Sequence, residues 1–369
     1  MILRRLEGYD LIILMMAVAL TCFGVVMVYS ASSIMAAKRF NDSFFFLKRQ
    51  GLFAVIGFAC MYGAMRTDYH VWRRLAVPIL LVCLASLVLV LVPGVGGSVK
   101  GATRWIRLPG FNFQPAELAK LALIIYMAYS LDKRQDKVRF MKTGVFPYML
   151  ILGAMILLLM VQPDMGSSMT LAAVAIVMLF AAGTRLSHIL SIVLFALPFV
   201  YYAVMHKEYR KRRILSFLNP WADPTDTGFQ IIQSWLAFGT GGIFGQGLGE
   251  GKQKLFYLPE AHTDFILSVV GEELGFVGVV TISAMFLLLV HRSIRVSIHA
   301  EDNFGRFLAF GIAVLLGMEA FVNIAVVMGL LPTKGLALPF ISYGGSSLIL
   351  SLLAIGILLN VSSRMRGAP

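Results

Sequence analysis

Apolar residues in this chain gather into long blocks, and polar positions collect between them. Ten blocks stand out, at 11–30, 51–65, 75–93, 116–131, 145–162, 167–183, 187–205, 265–290, 307–330 and 346–362. A helix rises about 1.5 Å per residue and a bilayer core is roughly 30 Å thick, so blocks of this length read as transmembrane helices. The second and fourth are short, which predicts tilted helices with ragged ends or boundaries that lie further out. The first block, after "MILRRLEGYD", is too long for the apolar part of a cleaved signal peptide, and a retained signal anchor is expected. The pattern predicts an all-α polytopic membrane protein. It forms a single transmembrane domain over 1–369 with one large extracytoplasmic loop at about 206–264.

That loop is the exception among short connections. It contains a helix-like piece, "FQIIQSWLAF" (229–238), and three aromatic anchors, Trp221, Trp235 and Tyr257. Short helices lying at the membrane surface are expected there. A second unusual stretch is "LPTKGLALPFISYGGSS" (331–347), which is largely apolar, rich in Pro and Gly, and carries one charge, Lys334. Non-helical backbone is tolerated at membrane depth only when buried in protein or lining a cavity. The stretch therefore predicts a partly re-entrant loop that lines a site.

Composition agrees with a membrane protein and excludes a soluble fold. Of 369 residues, 59% are hydrophobic and 14% charged, too little polar surface to cover a water-soluble core, and the mean hydropathy is +0.82. Cys22, Cys60 and Cys83 all fall within predicted spans and act as small hydrophobes, not as a disulfide framework. The net charge is +13. With both termini placed in the cytoplasm, the short inner segments carry 16 of the 32 Lys and Arg, including "DKRQDKVRFMK". The positive-inside rule favours that orientation. The outer side is basic too, notably "HKEYRKRR" (206–213). This run is either a solvated stretch near headgroups or part of a surface that receives an anionic substrate. Basic residues on both faces of a membrane bundle make no continuous nucleic-acid patch, so no nucleic-acid partner is expected.

The glycine-rich "GTGGIFGQGLGEGKQK" (239–254) is not a P-loop. Gln246 and Gln253 stand where that motif needs Gly and Ser or Thr, and no strand precedes it. It reads as tight turns, with close backbone approach to a ligand as the alternative. No HExxH, Cys/His metal set or nucleophile elbow is present.

Four clusters at the predicted outer edge carry candidate chemistry. In "GATRWIRLPGFNFQPAELAK" (101–120), Pro115 suits a first helical position and Glu117 and Lys120 share a helix face. Glu117 either neutralises Lys120 or joins it in a site, and Lys120 is expected to be buried and paired with Glu117 or Asp164. In "QPDMGSS" (162–168), Asp164 caps the next helix or contributes to the site. The third cluster is the Lys334 segment. The fourth is "LPEAHTDFILSVVGEELG" (258–275), where Thr263 or Asp264 could cap the helix. On a helical wheel, Ser268, Gly271, Gly275 and Gly278 fall near Asp264, which would turn it toward the bundle interior as a base or cation ligand.

Taken together, "GATRWI", "QPAELAK", "QPDMGSS", "NPWADP", "YLPEAHTDFI", "EELG" and "LPTKG…LPFISYGGSS" resemble the SEDS family of bacterial cell-envelope proteins (shape, elongation, division and sporulation) over nearly the whole chain. Of these, "LPTKG" and "LPFISYGGSS" are more similar to the division branch than to the elongation branch. The resemblance implies a ten-span inner-membrane enzyme, both termini cytoplasmic, that polymerises lipid II into glycan strands at the division septum. It implies an inverting transfer, work alongside a class B penicillin-binding transpeptidase and other divisome membrane proteins, and no organic cofactor. Asp264 falls on the family's essential aspartate, as general base or as holder of a divalent cation, Mg²⁺ or Mn²⁺. Arg104, Trp105, Glu117, Lys120, Asp164, His262, Lys334 and Ser342 fall in the motifs as substrate-binding positions. The sequence departs from the family where Ala116 replaces a usual Ser, and the segment before the first span is short. Two other functions remain open at this point: a lipid II flippase, which would need access from both sides, and an elongation-type polymerase.

Overall fold

A computed structural model describes residues 8–99, 102–108, 111–225, 228–254, 258–259 and 261–365. The expected anchor Tyr257 and the acidic Glu260 lie outside them. Among the described residues the regular elements are helices, except for one small sheet. In order come α1 (Leu11–Phe40), α2 (Phe45–Arg66), α3 (His70–Leu89), β1 (Gly96–Val99), β2 (Ala102–Leu108), β3 (Phe111–Phe113), α4 (Pro115–Lys133), α5 (Phe146–Val161), α6 (Met165–Ala181), α7 (Leu186–Met205), α8 (Glu208–Leu218), α9 (Phe229–Gly241), α10 (Ile266–His299), α11 (Asn303–Val327) and α12 (Gly345–Ser362).

Each of the ten apolar blocks falls on a helix of its own. Among the described residues, seven helices are long and apolar enough to cross a membrane: α1, α3, α5 with the turn before it, α7, α10, α11 and α12. The other three blocks fall on α2, α4 and the shorter apolar α6. The short second block belongs to a 22-residue helix, because Lys48 and Arg49 in its first turns interrupt the apolar run but not the helix. Likewise α1 continues ten residues past position 30, to a cap at Asn41 in the left-handed region.

The ends of the bundle are polar and distinct. At one end Asp10 caps α1 and pairs with Arg292 (2.8 Å), while its own N–H donates to Ser362 Oγ (3.0 Å). Asn360 accepts from the Tyr69 N–H and donates to the Met65 carbonyl, both at 2.8 Å. At the opposite end lie the sheet, the start of α6, the turn before α10 and the chain between α11 and α12. The sheet is antiparallel, β1–β2–β3, and sequence reading does not anticipate it. It is moored to α12, where Ser346 Oγ accepts from the Gln114 N–H (3.0 Å) and donates to the Asn112 carbonyl (3.2 Å).

The segment at 331–344 is re-entrant, as its composition predicts. Leu338, Phe340 and Ile341 are buried, and a Cβ on Gly24, midway along α1, would lie 2.6 Å from Ile341 Cα. Phe340 also stacks on Phe286, five turns into α10. The non-helical backbone is therefore enclosed by protein.

The large loop supplies the two short helices α8 and α9, but α9 is packed into the bundle. Its Ser234 is fully buried and donates to the Val327 carbonyl (2.6 Å), and the backbones of Gly241 and Gly271 are too close to admit a side chain between them. Helix α10 breaks at Gly275 (φ 67°, ψ −163°), so the wheel that aligned Gly275 and Gly278 with Asp264 does not hold beyond the break. The glycine-rich stretch fills it: the Phe276 and Val277 N–H groups donate to the carbonyls of Gly242 and Ile243 (2.9 and 3.1 Å). Gly242, Gly245, Gly247 and Gly249 all have positive φ, which supports the tight-turn reading. A Gly275→Ala variant is expected to lower Tm in detergent markedly, since φ there costs about 1–3 kcal/mol for a non-glycine and the new methyl collides with Gly245. An unchanged Tm would show that the break is not a fixed feature.

Candidate functional site

The turn 261–265 leads into α10, and its main chain is held by three successive bonds. The His262 carbonyl accepts from the Tyr343 N–H (2.9 Å), that of Thr263 from Ser342 Oγ (2.6 Å) and that of Asp264 from Asn323 Nδ2 (2.9 Å). The donors come from the re-entrant segment and from α11, so the turn cannot slide along either. The N-cap of α10 is Phe265, not Thr263 or Asp264, and it makes no side-chain capping bond. Asp264 thus stands one residue outside the helix start, partly exposed. Its carboxylate faces exposed Gly335: a Cβ built there would lie 3.3 Å from Asp264 Oδ2. Lys334 is the next residue, half-buried, and its carbonyl packs on Gly166 at the start of α6.

The other predicted residues divide into those the fold brings to this place and those it uses below it. Arg104, on β2, reaches the 162–163 turn, donating from Nε to the Gln162 carbonyl (3.4 Å) and from its terminal nitrogen to that of Pro163. Asp164 caps α6 through the Ser167 N–H (3.2 Å) and hydroxyl (2.8 Å), the simpler of its two readings. His262 packs its ring on Phe46 at 4.7 Å and near Tyr343. Ser342 is occupied in both senses, accepting from the Leu338 N–H (2.8 Å) while donating to Thr263. Trp105 follows Arg104 on β2, opposite Gly97.

Lys120 is buried, as expected for a cation one turn into a membrane helix. Its Nζ pairs with Glu117 Oε1 (2.8 Å) and with Glu319 on α11. The expected alternative partner, Asp164, is engaged at its cap instead, because it closes the first turn of its own helix. Glu319 goes unrecognised in the sequence as a lone carboxylate in an apolar run; its signal is that such a group needs a cation, and Lys120 is one. A second buried pair, Lys254–Glu273 (2.7 Å), is also absent from the sequence reading. It ties the glycine-rich loop to α10, with Ser30 of α1 donating to the same carboxylate (2.7 Å). Glu272 beside it accepts the Lys252 and Gln253 N–H groups (2.7 and 3.1 Å). The "EELG" carboxylates are therefore fastenings of the loop.

Together these features define a polytopic, all-α membrane protein with an aspartate-bearing turn pinned at three carbonyls at one end of the bundle. The chain belongs to the cell cycle protein family of FtsW, RodA and SpoVE, which residues 10–367 match. It is 72% identical over 366 residues to the probable peptidoglycan glycosyltransferase FtsW of Geobacter sp. strain M18, covering 99% of this chain and 100% of that protein. Stage V sporulation protein E of Bacillus subtilis is 45% identical over 357 residues, 97% of this chain and 98% of that one. Among solved structures, a chain of a peptidoglycan synthase complex that coordinates polymerization and crosslinking superposes with a TM-score of 0.79 at 31% identity, over 96% of this chain and 98% of that one. The rod shape determining protein RodA of Thermus thermophilus gives 0.70 at 29% identity, over 96% and 97%.

Proposed function

We propose that this protein is a peptidoglycan glycosyltransferase that joins lipid II units into glycan strands at the outer face of the cytoplasmic membrane during cell division. The observation that carries the reading is the setting of Asp264, a carboxylate outside the helix cap, on a turn fixed at three carbonyls and opening beside Lys334. The FtsW relatives, at 64–72% identity, favour the division role over an elongation role.

The chemistry asks little more. A sugar hydroxyl of one chain attacks the anomeric carbon of another, the hydroxyl proton passes to Asp264, and the anomeric C–O bond breaks as lipid pyrophosphate departs, inverting that centre. Pyrophosphate leaves without a general acid, so one carboxylate suffices. Positive charge from Lys334 and Arg104 stabilises the departing anion. Lys120 is committed to two carboxylates, and its part is to hold α4 to α11. Among the described residues no three His, Cys, Asp or Glu side chains gather. A Mg²⁺ or Mn²⁺ ion would therefore be held by Asp264 together with pyrophosphate oxygens, and would add charge neutralisation.

Ten spans, cytoplasmic termini and a septal location complete the reading, with a class B penicillin-binding transpeptidase and other divisome membrane proteins as partners. The positive-inside charge distribution supports the orientation, and the likeness to a synthase complex supports the transpeptidase.

Burial pushes the Lys334 ammonium below the usual lysine range. Its charge is then lost at a lower pH than that of a surface lysine. The alkaline fall in kcat/KM is expected to begin earlier in the native protein than in Lys334→Arg, which stays charged. Coincident alkaline limbs would remove Lys334 from the leaving-group role. The whole reading is tested by reconstituting the protein with its transpeptidase in liposomes containing lipid II. Glycan polymer is the expected product; movement of lipid II between leaflets without polymer would make the protein a transporter.

A further inference from the structure

Asn323 lies on α11 one turn beyond Glu319, on the same face of the helix, and is almost completely buried (1% exposed). Its Nδ2 donates two hydrogen bonds, to the Asp264 carbonyl (2.9 Å) and to the Leu336 carbonyl (2.7 Å). Both partners are acceptors only, so the amide nitrogen must be the atom that faces them. Through these two donated bonds the amide joins two stretches of main chain that are far apart in sequence.

What those donors join is specific. Leu336 is two residues beyond Lys334 and next to Gly335, the residue that the Asp264 carboxylate faces. One NH₂ group therefore bridges the turn that carries the proposed base and the chain that carries the proposed pyrophosphate contact. One turn earlier on α11, Glu319 is fixed by Lys120 of α4, which keeps Asn323 from shifting along the helix axis. Ser342 holds the same turn from the other side, at Thr263.

We infer that Asn323 is a positioning residue for the glycosyl transfer, acting through Asp264 by locking its backbone to the Lys334 segment. The inference rests on the polymerase reading above. Displacing a catalytic group by about 1 Å can cost on the order of 10²-fold in rate, so loss of this lock should appear in turnover before it appears in binding.

Asn323→Leu removes both donors at similar volume. Asn360→Leu is the control: Asn360 is another buried asparagine, which joins Tyr69 to Met65 at the opposite end of the bundle. Both variants, purified with the transpeptidase, are compared for Tm, for kcat and KM on lipid II per folded molecule, and for amide hydrogen exchange across 261–268. Asn323→Leu is expected to lower kcat roughly 10²-fold with KM within about threefold, and to speed exchange in that peptide. Asn360→Leu should lower Tm and leave kcat per folded molecule and exchange at 261–268 unchanged. Should Asn323→Leu fail to fold, Asn323→Ser, which keeps one donor, should show the same kcat–KM split to a smaller extent. Equal kcat per folded molecule in the two leucine variants, or unaltered exchange at 261–268, overturns the assignment. Native protein that makes no polymer would instead defeat the polymerase reading, and the lock on Asp264 would still be judged by exchange.

Discussion

Asp264→Asn is expected to abolish polymerisation while leaving expression, Tm and transpeptidase binding nearly native. Asparagine keeps the shape of the side chain and serves at a helix N-terminus as well as aspartate does, but it cannot take a proton near neutral pH. Loss of a general base alone typically costs about 10²–10⁴-fold, and any charge or cation role adds to that. The fold gives little reason for instability, because the turn is secured through the main-chain carbonyls of residues 262–264, which the substitution does not alter. The measurement is glycan polymer formed from lipid II per folded molecule. Retention of more than about a tenth of native activity would be a smaller loss than removal of a general base causes and would make the carboxylate dispensable.

Lys120→Ala is expected to be the most damaging of the lysine truncations. It would leave Glu117 and Glu319 facing each other inside the bundle with no cation between them, since one ammonium serves both carboxylates. Breaking a buried pair from one side typically costs about 3–5 kcal/mol, enough to remove much of a membrane protein's stability. Lys252→Ala is the matched comparison: its side chain is exposed on the glycine-rich loop, and only its backbone N–H is used, by Glu272. An exposed charge of this kind usually matters by less than about 0.5 kcal/mol. Yield after detergent extraction, Tm and polymerisation should all fall for Lys120→Ala and stay near native for Lys252→Ala. Equal, mild effects would mean that the triad is not a structural clasp.

The long apolar blocks made the helices legible because burial in lipid demands them and little else competes. Their ends were harder to place: charged first turns such as Lys48 and Arg49 look like loop in a hydropathy pattern yet continue the helix. The sheet was invisible for a related reason. Its strands are only three to seven residues long, and the sheet is anchored by a residue more than two hundred positions away, Ser346 on α12. The site was readable where a residue's chemistry was out of place in its surroundings. Lys120 in an apolar helix and Asp264 at a membrane boundary both announced themselves. Asn323 and the Lys254–Glu273 pair did not, because what they do depends on which backbone or side chain the fold sets against them.

The break in α10 at Gly275 also bears on how the chain is made. A hydrophobic segment entering lipid by itself would carry the Phe276 and Val277 N–H groups past the break without partners, and each such group costs several kcal/mol in hydrocarbon. The carbonyls that satisfy them belong to Gly242 and Ile243, which leave the ribosome about thirty residues earlier. Helix α10 therefore has its backbone groups satisfied at the break only once the glycine-rich loop has docked against it.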